Sequence, residues 1–321
     1  MTAPTSKPVV FIHTNDSQLL SAKVAQHALR SRSKHAGEFD VRILRVEETP
    51  HLCQYDGQQH LWNRGLHTWR RDEVTSFMPL RRMVPQVMGF RGRALLIDPD
   101  VFAVGDVFEL LSRDMKGKPI VCRDTIDELA DVPHWRHNSS VMLLDCSKLV
   151  HWQWDRDIDA IFRRERDFGP WIGLLTEPAT SFGMLEEEWN HFDTLNERTK
   201  LLHNTERTTQ PWKTGLPMDP DLVFIARRRA PKQQRPNLLA RALHAAGITR
   251  ERPQPYPVNV PHPDPRQERL FFSLLAECLS SGAITQEFLR EEIVRKHVRP
   301  DAFDLLRAST APPARSATSG V

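Results

Sequence analysis

Several features that identify common classes of protein are missing from this sequence of 321 residues. The four cysteines are scattered without any C-x-x-C spacing, which indicates neither a zinc site nor a disulfide framework. The first apolar run, residues 9–12, is too short for a signal-peptide core, and no later run approaches a membrane span. From the sequence we therefore expect a cytoplasmic protein.

Charge and aromatic content exclude a second group of functions. The net charge of +3 is small for the length, so bulk binding of nucleic acid is not expected. Two tyrosines against eight tryptophans and fifteen phenylalanines argue against a basic, aromatic platform for single strands. With 40% hydrophobic and 26% charged residues, the composition is that of an ordinary globular protein.

What the sequence does contain is a series of short apolar runs that end in polar residues. Residues 9–13 predict a buried strand, residues 18–30 an amphipathic helix and residues 39–46 a second strand. A strand–helix–strand unit implies a parallel sheet, with ligands at the carboxyl ends of its strands. The polar residues that follow the first strand, and so are candidates for such a site, are Thr14, Asn15 and Asp16.

The most informative stretch is Asp98-Pro99-Asp100, which follows the apolar residues 94–97. In an extended chain the two carboxylates lie two residues apart and project from the same face, and the proline stiffens them. Two close carboxylates at the end of a buried strand repel each other unless a cation lies between them. A divalent ion that shares its coordination with a diphosphate would remove this repulsion. The alternative is that Asp-Pro-Asp is only a polar turn.

Other elements follow from the same patterns. Residues 118–124, 141–145 and 200–204 predict strands, and 77–88 and 158–166 predict helices, the first with Arg81 and Arg82 on its flank. Residues 50–75 show no periodicity and predict a long loop or irregular helix. In the C-terminal part, helices are predicted at 237–246, 267–279 and 285–296.

With these pieces in order, the chain resembles the metal-dependent retaining glycosyltransferases of the glycogenin and bacterial lipopolysaccharide galactosyltransferase kind. The likeness spans about residues 8–215 and is carried by residues 11–16, 81–85, 92–101 and 138–144, and by 185–190 with His203 and 210–212. It implies a GT-A fold, an α/β domain with a mostly parallel central sheet flanked by helices. Two departures are the glutamine Gln210 in place of a lysine before Pro-Trp, and the missing glycine after His203.

The resemblance also implies roles for individual residues. Asp98, Asp100 and His203 would hold one Mn²⁺ or Mg²⁺, and an imidazole ligand favours Mn²⁺. The residues implied in catalysis are Asp98, Asp100 and Asp167. Those implied in binding the donor are Thr14, Asn15, Asp16, Arg81, Asn138, Gln210 and Lys213. The alternatives are a strand-end histidine for His203, a solvated flank charge for Arg81 and a turn residue for Asn138.

The resemblance and a change in composition predict the domain organisation. Residues 1–226 would form the GT-A domain, and residues 227–321 a basic, proline-rich linker, a helical extension and a disordered tail. The basic residues 227–235 are either a solvated linker or a peripheral membrane contact.

The predicted function is transfer of a hexose from a nucleotide-sugar, a UDP-sugar, to a glycan, lipid-linked or protein acceptor, with retention. One alternative is a sugar-phosphate nucleotidyltransferase, although the glycine-rich basic loop of that class is missing after the first strand. The other is a catalytically degenerate protein that binds nucleotide-sugar without turnover.

Overall fold

The computed structural model describes residues 7–124, 137–219 and 258–310. Within them the chain is α/β, and a sheet of six strands forms its centre. The strands of this sheet are β1 (Val9–Thr14), β2 (Asp40–Arg45), β5 (Arg93–Ile97), β7 (Ile120–Asp124), β8 (His137–Asp145) and β9 (Phe182–Met184).

The central sheet is mostly parallel, as the sequence predicts. Its strand order is β2-β1-β5-β8-β7-β9, and β8 runs antiparallel to both of its neighbours. In register, Ile12 of β1 lies beside Ile97 of β5, and Ile97 lies beside Val141 of β8. The residues directly after Ile12, those directly after Ile97 and those directly before Val141 therefore lie at the same edge of the sheet.

A smaller sheet of three strands completes that edge. It is made of β6 (Val101–Ala103), β10 (His191–Phe192) and β11 (Leu201–His203), in the order β10-β11-β6. The antiparallel pairing of β11 with β6 places His203 opposite Val101. Only the three residues of the Asp-Pro-Asp turn separate the end of β5 from the start of β6, so this pairing brings His203 next to that turn.

Helices cover the central sheet, and its four inner strands β1, β5, β8 and β7 are largely buried, whereas the edge strands β2 and β9 are partly exposed. Every residue of β1 is buried, as expected for a strand of a parallel sheet with both faces covered. On one side α1 (Leu19–Ser31) packs on β1 and β2, and on the other side Phe11 and Leu96 lie in a core with Trp152. The other α-helices that the structure describes before residue 219 are α2 (Pro50–Cys53), α3 (Val84–Val87), α4 (Phe108–Leu111), α5 (Trp154–Phe162) and α6 (Phe168–Ile172).

The prediction of a loop or irregular helix over residues 50–75 is wrong for residues 59–68. After α2 the chain forms a hairpin of β3 (Gln59–Trp62) and β4 (Gly65–Thr68). Its two turn residues, Asn63 and Arg64, have φ angles of 49° and 67°. A two-residue hairpin turn needs positive φ, and sequence signals for it are usually glycine. An Asn-Arg turn gives a weaker signal, which explains why the hairpin was not predicted.

The single helix predicted over residues 77–88 is also interrupted. It consists of a 3-10 helix, Met78–Arg82, followed by the short helix α3. Pro79 and Pro85 each lie in the first turn of one of these pieces, where the missing N–H of proline is tolerated. The prolines therefore start two short helices instead of continuing one. Arg81 and Arg82 are buried rather than solvated on a flank.

The C-terminal part contains the predicted helices α7 (Pro265–Ser280) and α8 (Gln286–Val294), and a third helix, α9 (Ala302–Thr310), that the sequence analysis did not predict. The helix predicted at 237–246, the basic residues 227–235 and the domain boundary after residue 226 lie outside the described residues.

The chain divides into two compact units. The first comprises Met1–Thr205 with Leu274–Leu289, and the second comprises Glu206–Ser273 with Arg290–Val321. Among the helices that the structure describes, none is both long and apolar enough to cross a bilayer.

Candidate metal and donor site

The Asp-Pro-Asp sequence forms a tight turn between the two sheets. The backbone N–H of Asp98 donates to the carbonyl of Ser140 at 2.9 Å, which extends the pairing of β5 with β8 by one residue. The carbonyl of Asp98 accepts from the N–H of Val101 at 3.3 Å, which closes the turn around Pro99. Only 5% of Asp98 and 3% of Asp100 is exposed. Burial of two carboxylates so close together requires compensating positive charge.

His203 faces Asp100 with a defined ring orientation. Its Nδ1 lies 2.8 Å from Oδ1 of Asn190, and its Nε2 lies 3.3 Å from Oδ1 of Asp100. Because an amide oxygen only accepts, Nδ1 carries the hydrogen and donates to Asn190. In the neutral ring Nε2 then presents a lone pair to a carboxylate. This contact is repulsive unless a cation lies between the two groups.

Asp98, Asp100 and His203 form a group whose ligand atoms all lie within 4.8 Å of one another, and all three residues are buried. The donor set fits a divalent ion: two carboxylates supply hard oxygen ligands, and the oriented imidazole supplies a nitrogen. A histidine ligand whose other nitrogen donates to a fixed acceptor is the usual arrangement around protein-bound metals. These three residues could therefore hold a metal ion.

Asn190 is held in turn by residues of β8. Its Nδ2 donates to Oδ1 of Asn138 at 3.2 Å and to Oγ of Ser140 at 3.1 Å. Oδ1 of Asn138 also accepts from the backbone N–H and the hydroxyl of Ser140. The side-chain oxygen of Asn138 thus accepts hydrogen bonds within the protein. One of these bonds orients Asn190, which in turn orients His203.

Asp98 is paired on its other side with Arg81 and His13. Nη2 of Arg81 lies 2.5 Å from Oδ2 of Asp98, and Nε2 of His13 lies 2.8 Å from Oδ1. Nε of Arg81 is also 3.2 Å from the same nitrogen of His13, which cannot both accept from Arg81 and donate to Asp98. The shorter contact to an anion is the stronger bond, so we assign the hydrogen to Nε2 and the donation to Asp98.

These neighbours determine the charge states of Asp98 and His13. Burial by itself would raise the pKa of Asp98, but the Arg81 guanidinium and His13 outweigh it and hold that pKa far below the ordinary range. Burial lowers the pKa of His13, and Asp98 opposes this only in part. Asp98 is therefore an anion and His13 a neutral donor at neutral pH.

The predicted donor-binding loop after β1 is already bonded within the protein. Thr14 is fully buried, and Nδ2 of Asn15 donates to the carbonyl of Glu73 at 2.7 Å. The carboxylate of Asp16 is ion-paired with Arg45. The structure thus places the loop at the sheet edge where it was expected, and neighbouring residues of the protein bond to its side chains. Contact of these three residues with a donor stays a prediction.

Asp167 caps a helix and holds the hairpin. Its carboxylate accepts from the backbone N–H of Gly169 in α6 at 2.9 Å, and from those of Asn63 and Arg64 in the hairpin turn at 2.8 and 2.7 Å. It is not one of the three clustered ligands. These bonds provide a structural reason for an aspartate here, and its implied catalytic role has no support from them.

Gln210 and Lys213 belong to the second unit. They lie at the end of the 3-10 helix Arg207–Thr209 and within the 3-10 helix Pro211–Lys213. The N–H of Lys213 donates to the carbonyl of Gln210 at 2.9 Å. Their predicted contact with the donor remains a prediction.

Three residues that the sequence analysis did not assign to the site are brought to it by the fold. His13 bonds to Asp98, Asn190 bonds to His203, and Ser139 accepts from Nη1 of Arg81 at 2.8 Å. A signal for His13 was present, because it ends the strand that neighbours the Asp98 strand in a parallel sheet. A signal for Asn190 was present as well, because it ends the segment 185–190 that carries the sequence resemblance, but it was given no role; its bond to His203 follows from the pairing of β10 with β11.

No protein-family model matches the sequence, and a search of curated proteins by sequence gives no match. The solved structures that are similar include the glycosyltransferase GlyE of Streptococcus pneumoniae TIGR4. The sequence identity is 13% and the TM-score is 0.45, and the alignment covers 87% of this chain and 64% of GlyE. Another is the galactosyltransferase LgtC in complex with donor and acceptor sugar analogues. The identity is 9% and the TM-score is 0.45, and the alignment covers 64% of this chain and 89% of LgtC.

A third is mouse xyloside xylosyltransferase 1. The identity is 12% and the TM-score is 0.39, and the alignment covers 61% of this chain and 97% of the mouse enzyme. The chain spans 64% of the length of GlyE and 48% of the bifunctional WbbM. Identities this low and TM-scores below 0.5 establish neither a family nor an activity. GlyE, LgtC and xyloside xylosyltransferase 1 are glycosyltransferases.

Proposed function

We propose that this chain is a metal-dependent glycosyltransferase that moves a hexose from a nucleotide-sugar, a UDP-sugar, to a glycan, lipid-linked or protein acceptor with retention. The observation that carries the proposal is the buried group of Asp98, Asp100 and His203, with Nε2 of the histidine directed at a carboxylate. Such a site at the carboxyl edge of a mostly parallel sheet is suited to a nucleotide ligand.

A divalent ion held there would stabilise the negative charge of the diphosphate as it leaves the sugar. We propose Mn²⁺ as the ion, because an imidazole ligand favours it over Mg²⁺. The protein's own contribution is to fix two of the three ligands before the donor arrives. Asp98 is held by Arg81 and His13, and His203 is held by Asn190.

Thermal unfolding in the presence of uridine diphosphate tests the proposal. The protein is heated with the diphosphate, in Mn²⁺ or in chelator, and compared with Asp100→Asn and His203→Ala. We expect the diphosphate to raise the melting temperature of the parent only when Mn²⁺ is present, and neither variant to show that gain.

Asp145→Asn is a matched control at the opposite end of β8. Asp145 caps a 3-10 helix, and asparagine is an equally good cap, so this variant should respond as the parent does. Equal stabilisation by the diphosphate in Mn²⁺ and in chelator would contradict the metal site.

Turnover is tested with UDP-sugars in Mn²⁺, with release of uridine diphosphate as the measurement. Slow metal-dependent hydrolysis without acceptor is the expected result, and the anomer formed from a donor of known configuration reports retention or inversion. Binding of the diphosphate with Mn²⁺ but no hydrolysis or transfer of any sugar would identify a binding protein instead of an enzyme.

A further inference from the structure

A buried arginine stands beside one of the two carboxylates of the candidate metal site. We propose that Arg81 is a built-in counter-ion of Asp98 that suppresses binding of a divalent ion alone and so makes ion binding depend on the diphosphate. This inference rests on the function proposed above. It differs from the role implied by the sequence resemblance, in which Arg81 only contacts the donor.

The geometry fixes Arg81 on Asp98 rather than on an incoming ligand. Its Nη2 is 2.5 Å from Oδ2 of Asp98, and its Nη1 donates to Oγ of Ser139 at 2.8 Å. His13 lies against its Nε at 3.2 Å, and only 6% of Arg81 is exposed. The guanidinium is therefore bonded to Asp98 and Ser139 and packed against His13, which leaves it little freedom to turn away.

The charges of the site give the consequence. Asp98 and Asp100 carry two negative charges and Arg81 carries one positive charge, which leaves the site with a single net negative charge. A divalent ion alone would turn this into a net positive charge inside a buried site, which is unfavourable. When the ion arrives with the diphosphate of a nucleotide-sugar, the added charges cancel and the site keeps its net negative charge.

Without Arg81 the net charge of the site would be different. Two carboxylates would neutralise a divalent ion by themselves, so the ion would bind without any diphosphate. A positive charge a few ångströms from a divalent ion is a strong opposing interaction at low dielectric. Arg81 therefore decides whether the site takes up free metal or only metal together with diphosphate.

The test measures the affinity for Mn²⁺ by calorimetry or by the electron paramagnetic resonance of free Mn²⁺, without and with uridine diphosphate. The variants are Arg81→Gln and Arg81→Met, which remove the charge, and Arg81→Lys, which keeps it. We expect both neutral variants to bind Mn²⁺ alone at least about tenfold more tightly than the parent. The lysine variant should bind Mn²⁺ alone about as weakly as the parent.

The coupling between the two ligands gives a second readout. In the parent, uridine diphosphate should tighten Mn²⁺ binding by at least about tenfold, and by linkage Mn²⁺ should tighten the diphosphate equally. This factor should fall in the neutral variants. It is measured on the parent as well, so it remains decisive if a variant does not fold.

Two results would overturn the proposal: neutral variants that bind Mn²⁺ alone no more tightly than the parent, or a parent that binds Mn²⁺ equally well with and without diphosphate. Failure of the proposed function is recognised separately. In that case Asp100→Asn and His203→Ala would bind Mn²⁺ with diphosphate as the parent does.

Discussion

The hydrogen bond from Asn190 to His203 offers a direct test of how the candidate site is organised. Asn190 is fully buried, and its amide makes three bonds, to His203 at 2.8 Å, to Asn138 at 3.2 Å and to Ser140 at 3.1 Å. Asn190→Leu has a similar volume but makes none of them. At about 1 kcal/mol for each bond, we expect the free energy of unfolding to fall by about 3 kcal/mol. A domain stable by about 5–15 kcal/mol remains folded after such a loss.

The larger effect is expected on metal binding. Without Asn190, Nδ1 of His203 loses its acceptor at 2.8 Å and keeps only the longer contact to Oγ of Ser140 at 3.4 Å, so both the ring orientation and the preference for a free Nε2 are weakened. Loss of a residue that orients a metal ligand lowers affinity about 10–100-fold, which corresponds to about 1.4–2.7 kcal/mol. We expect Asn190→Leu to weaken Mn²⁺ binding in the presence of uridine diphosphate by this factor.

Asn190→Asp is the informative companion variant. A carboxylate still accepts from Nδ1 but cannot donate to Asn138 or Ser140, so stability should fall while Mn²⁺ affinity stays at least as high as in the parent. Calorimetry gives the affinities, and ¹⁵N resonances of the imidazole report which nitrogen carries the hydrogen. If the leucine variant kept the parent's affinity, or if both variants lost it equally, the assignment of Nε2 as a metal ligand would be wrong.

Other predictions concern the scaffold. Burial alone would raise the pKa of Glu177, but its buried partner Arg82 and neighbouring donors keep that pKa below the ordinary range. The pair therefore contributes stability above about pH 4.3, and this contribution is lost as the pH falls through the lowered pKa. Glu177→Gln should lower stability by about 3–5 kcal/mol at pH 7 in urea unfolding and show a flatter acid dependence than the parent. Asp167→Ala should lower the free energy of unfolding by about 2–3 kcal/mol through its three backbone bonds, and a change in Mn²⁺ affinity would contradict this purely structural role. Removal of all residues after 226 deletes Glu277, which pairs with His27 of α1 and with Arg32 directly after α1, all in the first unit. We expect aggregation or a lower melting temperature, and a monomeric fragment as stable as the parent would refute this.

Local patterns were sufficient for the main strands and for two of the site residues. The apolar runs of β1 and β5 and the Asp-Pro-Asp turn are continuous in sequence, so their placement at a sheet edge could be predicted. His203 was identified through the resemblance, and the pairing of β11 with β6 explains why it reaches Asp100.

The remaining site residues depend on pairings that no local pattern contains. His13 reaches Asp98 only because β1 and β5 pair in one register, and a shift by one residue would turn its side chain to the other face. Arg81 was predicted to contact the donor, and its burial against Asp98 depends on where two short proline-started helices lie. The hairpin β3–β4 was not predicted because its Asn-Arg turn has no glycine.

The pairing of β11 with β6 also determines when during folding the site can exist. The two carboxylates are neighbours in the chain, but His203 follows about a hundred residues later. Closing a loop of that length is entropically unfavourable and must be compensated by the native contacts of the intervening strands. A nascent or truncated chain that ends before β11 holds both aspartates and still lacks the third ligand. Binding of an ion by all three residues would therefore report that the whole first part of the chain has folded.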